Sequence, residues 1–152
     1  ANDIPCVSVS TLESMAYNFL SNDCIVCAVM DARCSQAYNA LFEIKNGVVT
    51  RLCDDRALSL DDLKNELLSV DGRIIIAGDG TDITCKYIGN EIKNAESAPV
   101  NLKYQRASST ALVAFEMINN GQTVSAQELM PVYLRLPQAQ RELNKKLGGR
   151  TK

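Results

Sequence analysis

CIVCAVMDARCSQAYNALFEIKNGVVTRLC, residues 24–53, is the stretch of the chain that decides the fold. It opens with an unbroken apolar run, Cys24 to Met30, which is typical of a strand that is buried on both faces. Residues 31–36 then predict a turn, and Asn46-Gly47 is the dipeptide that most strongly favours a tight hairpin. The stretch therefore predicts an antiparallel meander of three strands, at 24–30, 37–45 and 48–53.

Helical and strand patterns alternate after the meander. Ser59 is a candidate N-cap ahead of an apolar helical stripe at Leu60, Leu63, Leu67 and Leu68. The further predicted elements are a buried strand at 73–77, a helix at 82–92, a short strand or link at 98–100, a helix at 107–119, an extended segment at 131–134, and a helix from Pro137 to Leu147.

The residues before the meander predict a short strand, Ile4 to Val9, followed by a helix. Ser10 or Thr11 is the candidate N-cap of that helix, and Glu13 lies in its first turn, where a carboxylate suits the helix dipole. From residue 24 onward the predicted order is β-β-β-α-β-α-β-α. A meander followed by alternating helices and strands predicts a mixed sheet covered by helices, which is the order of the ribonuclease-H-like fold.

Composition limits the possible functions. A chain of 152 residues fits one domain, and its 46% of hydrophobic residues are typical of a globular protein. The sequence contains no histidine, which excludes a Ser-His-Asp triad and a histidine-based zinc protease. We predict no catalytic residue and no metal site in this chain.

Charge is divided unevenly along the chain. The net charge is −2, but residues 135–152 carry +5 and the other residues carry −7. This basic segment is either a solvated helix end or a contact for a phosphate backbone or an acidic partner. In the extended segment before it, alternation places Val132 and Leu134 on one face and Tyr133 and Arg135 on the other.

The six cysteines are predicted to be free thiols, most of them buried. The first basic residue is Arg33, so no signal-peptide n-region is visible, and the apolar run at 24–30 is too short to cross a membrane. Cys24 and Cys27 form a CxxC spacing inside a predicted strand, whereas a redox pair needs a helix N-terminus. We therefore expect a cytoplasmic protein with no membrane contact.

Four blocks of sequence, in order, resemble the TsaB (YeaZ) family of bacterial proteins. They are IPCVSVSTLESMA at 4–16, MDAR at 30–33 with AYNALF at 37–42, GDG at 78–80, and ELMPVYLR at 128–135. No single block is specific, but together they span most of the chain. The resemblance implies a ribonuclease-H-like lobe of the actin-like ATPase superfamily, whose members pair two such lobes around a cleft.

The family's first lobe, with its opening DTS motif, has no counterpart in this sequence. The resemblance then implies three parts, namely a remnant of the first lobe at 1–22, the second lobe at 23–130, and a returning C-terminal segment with a basic helix at 131–152. We expect the chain to be a fragment that carries no cofactor of its own.

The resemblance also implies a function in the synthesis of threonylcarbamoyladenosine in tRNA. The family acts as a non-catalytic scaffold for a TsaD-like subunit, together with a TsaE-like ATPase, and meets tRNA only indirectly. Two alternatives stay open, a catalytic actin-fold ATPase or kinase lobe and a self-associating homodimer. Peptidase activity, suggested by the family's older glycoprotease label, is disfavoured because related metallopeptidases use a histidine pair.

The resemblance implies candidate nucleotide contacts at two places in the chain, Asp31 and the Gly78-Asp79-Gly80 motif. Asp31 lies where active superfamily members hold phosphate, but the turn at 32–36 lacks glycine, so an ion pair with Arg33 or a partner contact is the alternative. Gly78, Asp79 and Gly80 lie where such folds hold adenine, or they simply form a strand-to-helix turn. The candidate partner contacts are Arg33, Tyr133, Arg135, Arg141 and Lys145.

Overall fold

A six-stranded mixed sheet forms the centre of the computed structural model, which describes residues 4–135. Its strands are β1 (Cys24–Asp31), β2 (Gln36–Lys45), β3 (Val48–Arg51), β4 (Arg56–Ser59), β5 (Ile74–Ala77) and β6 (Ala95–Ser97). The order across the sheet is β3-β2-β1-β5-β6, and β4 also pairs with β2. The pairs within the meander are antiparallel, whereas β1–β5 and β5–β6 are parallel. The predicted meander and mixed sheet are confirmed.

The β2–β3 hairpin forms at the predicted dipeptide. Asn46 and Gly47 both have positive φ, at +52° and +76°, as a type I′ turn requires. The turn fixes the register, in which Lys45 faces Val48 and Phe42 faces Arg51. The predicted hairpin at Asn46-Gly47 is therefore confirmed.

The fourth strand, β4, was missed by the sequence pattern. Arg51 faces Phe42, but the next pair along β2 is Asn39 with Arg56, so residues 52–55 bulge out opposite only two residues of β2. The backbone N–H of Leu41 is satisfied in the bulge by the Sγ of Cys53, at 3.2 Å. The bulge directs Asp55 toward the start of the first helix, where its carboxylate accepts a 2.5 Å hydrogen bond from Ser10.

Helices cover both faces of the sheet. One face carries α1 (Thr11–Ala16), which continues as a 3-10 turn (Tyr17–Phe19), and α4 (Ala107–Asn119) packs against α1. The other face carries α2 (Leu60–Leu67) and α3 (Thr81–Ile88). Alternate residues of β1 enter the two cores, Val26 and Ala28 on the α1 side and Cys27 and Val29 on the other. The prediction of a strand buried on both faces is confirmed.

Both predicted serine caps are present. Ser10 accepts a hydrogen bond from the backbone N–H of Glu13, and Ser59 accepts one from that of Asp62. The helix predicted at 82–92 is shorter, because Gly89 at φ +54° ends α3 after Ile88. Of the two alternatives at 98–100, a short strand or a link, the link is present, and the strand lies just before it, as β6.

The predicted N-terminal strand is wrong in extent. Between Ile4 and Val9, only Cys6 pairs, through two hydrogen bonds of 2.8 and 2.9 Å with Val124. Pro5 has no N–H to donate, so pairing cannot continue through it. Among residues 4–135, no helix combines the length and apolar character needed to cross a bilayer.

Candidate functional site

The candidate site lies at the carboxyl ends of β1 and β5. These strands are parallel neighbours, so the turn after β1 and the loop after β5 meet at one edge of the sheet. The backbone N–H of Asp31 donates to the Asp79 carboxylate at 3.2 Å. The structure thus brings together the four candidate nucleotide contacts, Asp31, Gly78, Asp79 and Gly80.

Both glycines let the loop lie directly on the backbone of β1. Gly78 has φ +119°, and a Cβ there would lie 1.9 Å from the carbonyl oxygen of Val29. A Cβ on Gly80 would lie 3.1 Å from the backbone of Met30. These contacts alone explain the glycines, so they support the turn interpretation of this motif, while adenine binding stays a prediction.

The turn after β1 achieves positive φ without glycine. Arg33, Cys34 and Ser35 have φ values of +64°, +55° and +56° in succession. The left-handed conformation costs a non-glycine residue about 1–2 kcal/mol. The sequence predicted a turn here, but nothing in its residue types predicted this conformation.

Four of the six N–H groups of this turn are directed at protein acceptors, and those of Cys34 and Ser35 have none among residues 4–135. Asp31 donates to Asp79, Ala32 to the carbonyl of Gln36 at 3.0 Å, Arg33 to the carboxylate of Asp31 at 2.7 Å, and Gln36 to the carbonyl of Arg33 at 3.2 Å. The predicted ion pair between Asp31 and Arg33 is present at 3.3 Å. The Arg33 side chain is 86% exposed, so the pair adds little to stability and leaves the guanidinium open to other contacts.

The C-terminal segment, residues 131–135, lies against the same turn. The Arg135 guanidinium donates to the carbonyl oxygen of Ala32. The predicted alternation is wrong, because Val132 and Tyr133 are both exposed, by 77% and 82%, and Leu134 and Arg135 are both half-buried. A bend at Leu134 and Arg135 breaks the two-residue period. Arg141 and Lys145, with the predicted helix that carries them, lie outside the described residues.

A cleft of about 450 Å³ separates the C-terminal segment from the start of α1. That volume falls within the range of small-molecule sites. Ser8, Ser10 and Thr11 line one side, Pro131 to Arg135 line the other, and Met30, Tyr38 and Asp55 complete the wall. Asp55 and Tyr38 were not singled out from the sequence, because the bulge that brings Asp55 here left no recognisable pattern.

An arginine fixes the acidic side of this cleft. Arg51 donates to Asp55 and to Glu13, each at 2.6 Å, and its guanidinium lies 4.8 Å from the ring centre of Phe42. Burial alone would lower the pKa of Arg51, but the hydrogen bonds to Asp55 and Glu13 outweigh it and raise the pKa. Asp55 is therefore already paired with Arg51.

The cysteines match the prediction of free thiols, with one correction. All six are unbridged, and burial raises the pKa of the Cys27 thiol, so this cysteine is inert. The predicted burial is wrong for most of them. Only Cys24 and Cys27 are buried, Cys6, Cys53 and Cys85 are partly buried, and Cys34 is exposed at the tip of the left-handed turn. Within residues 4–135, no group of three or more cysteine or acidic side chains is arranged to hold a metal ion.

Comparison with known proteins supports the resemblance. The chain is 27% identical over 139 residues to the tRNA threonylcarbamoyladenosine biosynthesis protein TsaB of Bacillus subtilis (strain 168). The match covers 91% of this chain and 59% of that protein, so the chain spans about three fifths of the relative's length. No protein-family model matches the chain.

Two solved structures from Pseudomonas aeruginosa share the fold. One is described as an uncharacterized protein with similarity to peptidase YeaZ, and the other as YeaZ; their TM-scores are 0.62 and 0.60 at 19% and 20% identity. Each match covers 86% of this chain and 59% of the solved one. The similarity to the TsaB (YeaZ) family and the α/β fold, both predicted from the sequence, are confirmed.

Proposed function

We propose that this chain is a non-catalytic lobe that supports threonylcarbamoyladenosine synthesis in tRNA. The similarity over 91% of the chain to a protein named for that pathway supports this assignment. Because the match covers only 59% of that protein, the proposal concerns the part played by this lobe. The six free thiols fit a reducing cytoplasm.

The single observation that carries the non-catalytic assignment is that the protein itself occupies most backbone N–H groups of the turn at residues 31–36. A phosphate-binding hairpin offers free backbone N–H groups to the ligand. Here the N–H groups of Asp31, Ala32, Arg33 and Gln36 donate to protein acceptors. Of the N–H groups in the turn, only those of Cys34 and Ser35, at its tip, have no acceptor within residues 4–135.

The scaffold role, with a TsaD-like subunit and a TsaE-like ATPase as partners, is supported by what the lobe leaves exposed. Val132 and Tyr133 are exposed on the segment that contacts the turn through Arg135, and the Arg33 side chain is exposed on the turn itself. Tyrosine and arginine are residue types enriched at protein interfaces. This surface adjoins the turn, so a partner bound there would contact the turn without requiring nucleotide on the lobe. Contact with tRNA would be through the partner.

Sedimentation velocity of the chain, alone and mixed with purified TsaD-like and TsaE-like proteins, tests the proposal. We expect a mixed complex that weakens at least tenfold in affinity in an Arg33→Glu, Tyr133→Ala variant. The matched control is Arg73→Glu, because Arg73 precedes β5 at the opposite end of that strand. No mixed complex at micromolar concentrations would refute the scaffold role.

The same experiment separates the alternatives. A homodimer is favoured by the open apolar residues of α4, Leu112, Phe115 and Ile118, and would show as self-association that the partner proteins do not displace. A catalytic lobe would show ATP turnover that vanishes in Asp31→Ala. We expect no turnover above the buffer rate.

A further inference from the structure

The turn at residues 31–36 holds a conformation that its own residues do not favour. Arg33, Cys34 and Ser35 all lie in the left-handed region, and none of them is glycine. Such a conformation persists only where the surrounding structure imposes it. The contacts that impose it therefore decide whether the turn keeps this shape.

Three distant parts of the chain hold the turn. The Asp79 carboxylate accepts from the N–H of Asp31. The N–H of Leu60, the first residue of α2, donates to the carbonyl of Ser35 at 3.0 Å. The guanidinium of Arg135 donates to the carbonyl of Ala32.

Two of these anchors are fixed and one is not. Asp79 lies in a loop that is packed on the β1 backbone, and Leu60 is buried at the start of a helix. Arg135 instead belongs to the C-terminal segment, which is neither helix nor strand between residues 131 and 135 and which exposes Val132 and Tyr133. Of the three contacts, that of Arg135 is the one that another molecule could remove.

We propose that the 31–36 turn is a two-state switch that Arg135 holds in its left-handed state. The partner subunit proposed above, by binding Val132 and Tyr133 and drawing the segment away, would break the Arg135–Ala32 hydrogen bond, so this step rests on the proposed function. Without it, Arg33, Cys34 and Ser35 relax toward negative φ, and the exposed Arg33 side chain changes its position. Arg135 is thus a positioning residue that couples the C-terminal segment to the edge of the sheet.

Amide hydrogen exchange on the whole 152-residue chain tests the switch. In Arg135→Ala, the protection factors of the Ala32 and Gln36 amides should fall about tenfold, as expected when a hydrogen bond to a charged group is lost. The amides of the β1–β5 ladder should stay within twofold. Arg106→Ala, which removes an exposed arginine just before α4, should leave the turn unchanged.

A rescue separates a switch from simple loss of structure. Glycine adopts positive φ without penalty, so Cys34→Gly added to Arg135→Ala should restore protection of Ala32 and Gln36, whereas Cys34→Ala should not. Unchanged protection in Arg135→Ala would overturn the proposal. So would a loss spread evenly over β1 and β5, or failure of the glycine rescue, because each would show that Arg135 does not act through the conformation of the turn.

Discussion

The helices on the two faces of the sheet bury their apolar residues to different extents. On one face, α2 buries Leu60, Leu63 and Leu67 and turns Asp61 and Asp62 to solvent. On the other face, α4 buries only Ser109 and Val113 and leaves Phe115 and other large apolar residues exposed. Both helices carry many apolar residues, but only α2 keeps them on a single side.

This difference indicates that the two faces serve different purposes. A helix with one apolar stripe is built to lie between a core and water, whereas a helix that is apolar on several sides is normally buried on several sides. Contiguous exposed apolar residues of this kind mark interaction surfaces. The α2–α3 face is therefore suited to contact with water, and the α1–α4 face is suited to contact with another protein surface.

The largest expected change in the free energy of unfolding comes from opening a cavity under the α2–α3 face. Leu63 is fully buried in the α2–α3 core. Leu63→Ala should lower the free energy of unfolding by about 2–5 kcal/mol, because the lost methyl groups leave a cavity. Chemical denaturation of the chain measures this change.

The matched substitution on the other face is Leu112→Ala. Leu112 is exposed on α4, so its loss should change the free energy of unfolding by no more than about 0.5 kcal/mol. Equal effects at Leu63 and Leu112 would show that the α4 face is covered within the chain, and the comparison of the two faces would fail.

The next largest change in unfolding free energy comes from Arg51, which links β3 to Glu13 of α1. Arg51→Met keeps the stem but removes the hydrogen bonds to Glu13 and Asp55, which are partly buried. We expect a loss of about 1–3 kcal/mol in unfolding free energy, since these bonds join charged groups. Arg73→Met is the control. Its ion pair with Glu96 is about half exposed and should be worth at most about 1 kcal/mol. A larger loss of unfolding free energy in Arg73→Met than in Arg51→Met would contradict this prediction.

A smaller effect concerns the contact between α1 and α4. The Tyr17 hydroxyl donates to the Glu116 carboxylate, and burial together with that bond raises the pKa of Tyr17 well above its usual 10. Tyr17→Phe should lower stability by about 1 kcal/mol at neutral pH.

The pH dependence of the same pair has a definite sign. The raised pKa means that Tyr17 stabilises the fold fully below pH 10 and loses this contribution as pH rises further, because the unfolded tyrosine ionises first. The stability curve of Tyr17→Phe above pH 10 should therefore be shallower than that of the parent chain. Parallel curves would show that the buried hydroxyl does not titrate with unfolding.

The sequence predicted those parts of the fold that depend on interactions between residues close together in the chain. Asn46-Gly47 specifies its own turn, and Ser10 and Ser59 satisfy N–H groups three residues away. The apolar run at 24–30 revealed a doubly buried strand because burial on both faces removes the polar alternation. In each case the cause lies within a few residues of its effect.

Features imposed from a distance could not be predicted in this way. Strand β4 depends on a bulge whose hydrogen bonds reach across to Leu41. The left-handed turn at 33–35 is held by contacts from Asp79 and Arg135, far away in sequence. The candidate site consists mostly of such contacts. This explains why Asp31 and residues 78–80 were identified from the sequence, whereas Tyr38, Asp55 and the conformation of the turn were not.

The smallest expected change in stability, at Phe115, gives the most direct test of the α1–α4 face as a contact surface. Phe115 is 65% exposed on α4, so Phe115→Ser should change the free energy of unfolding by no more than about 0.5 kcal/mol. The same change at the buried neighbour, Val113→Ser, should cost several times more, because it places a hydroxyl in a packed site. If α4 forms a contact surface, Phe115→Ser should still reduce binding of the dye ANS, or the self-association seen in sedimentation, while folding is unaffected. A variant that lost stability like Val113→Ser would show that Phe115 already has its partner within the chain, and the two faces of the sheet would then be alike.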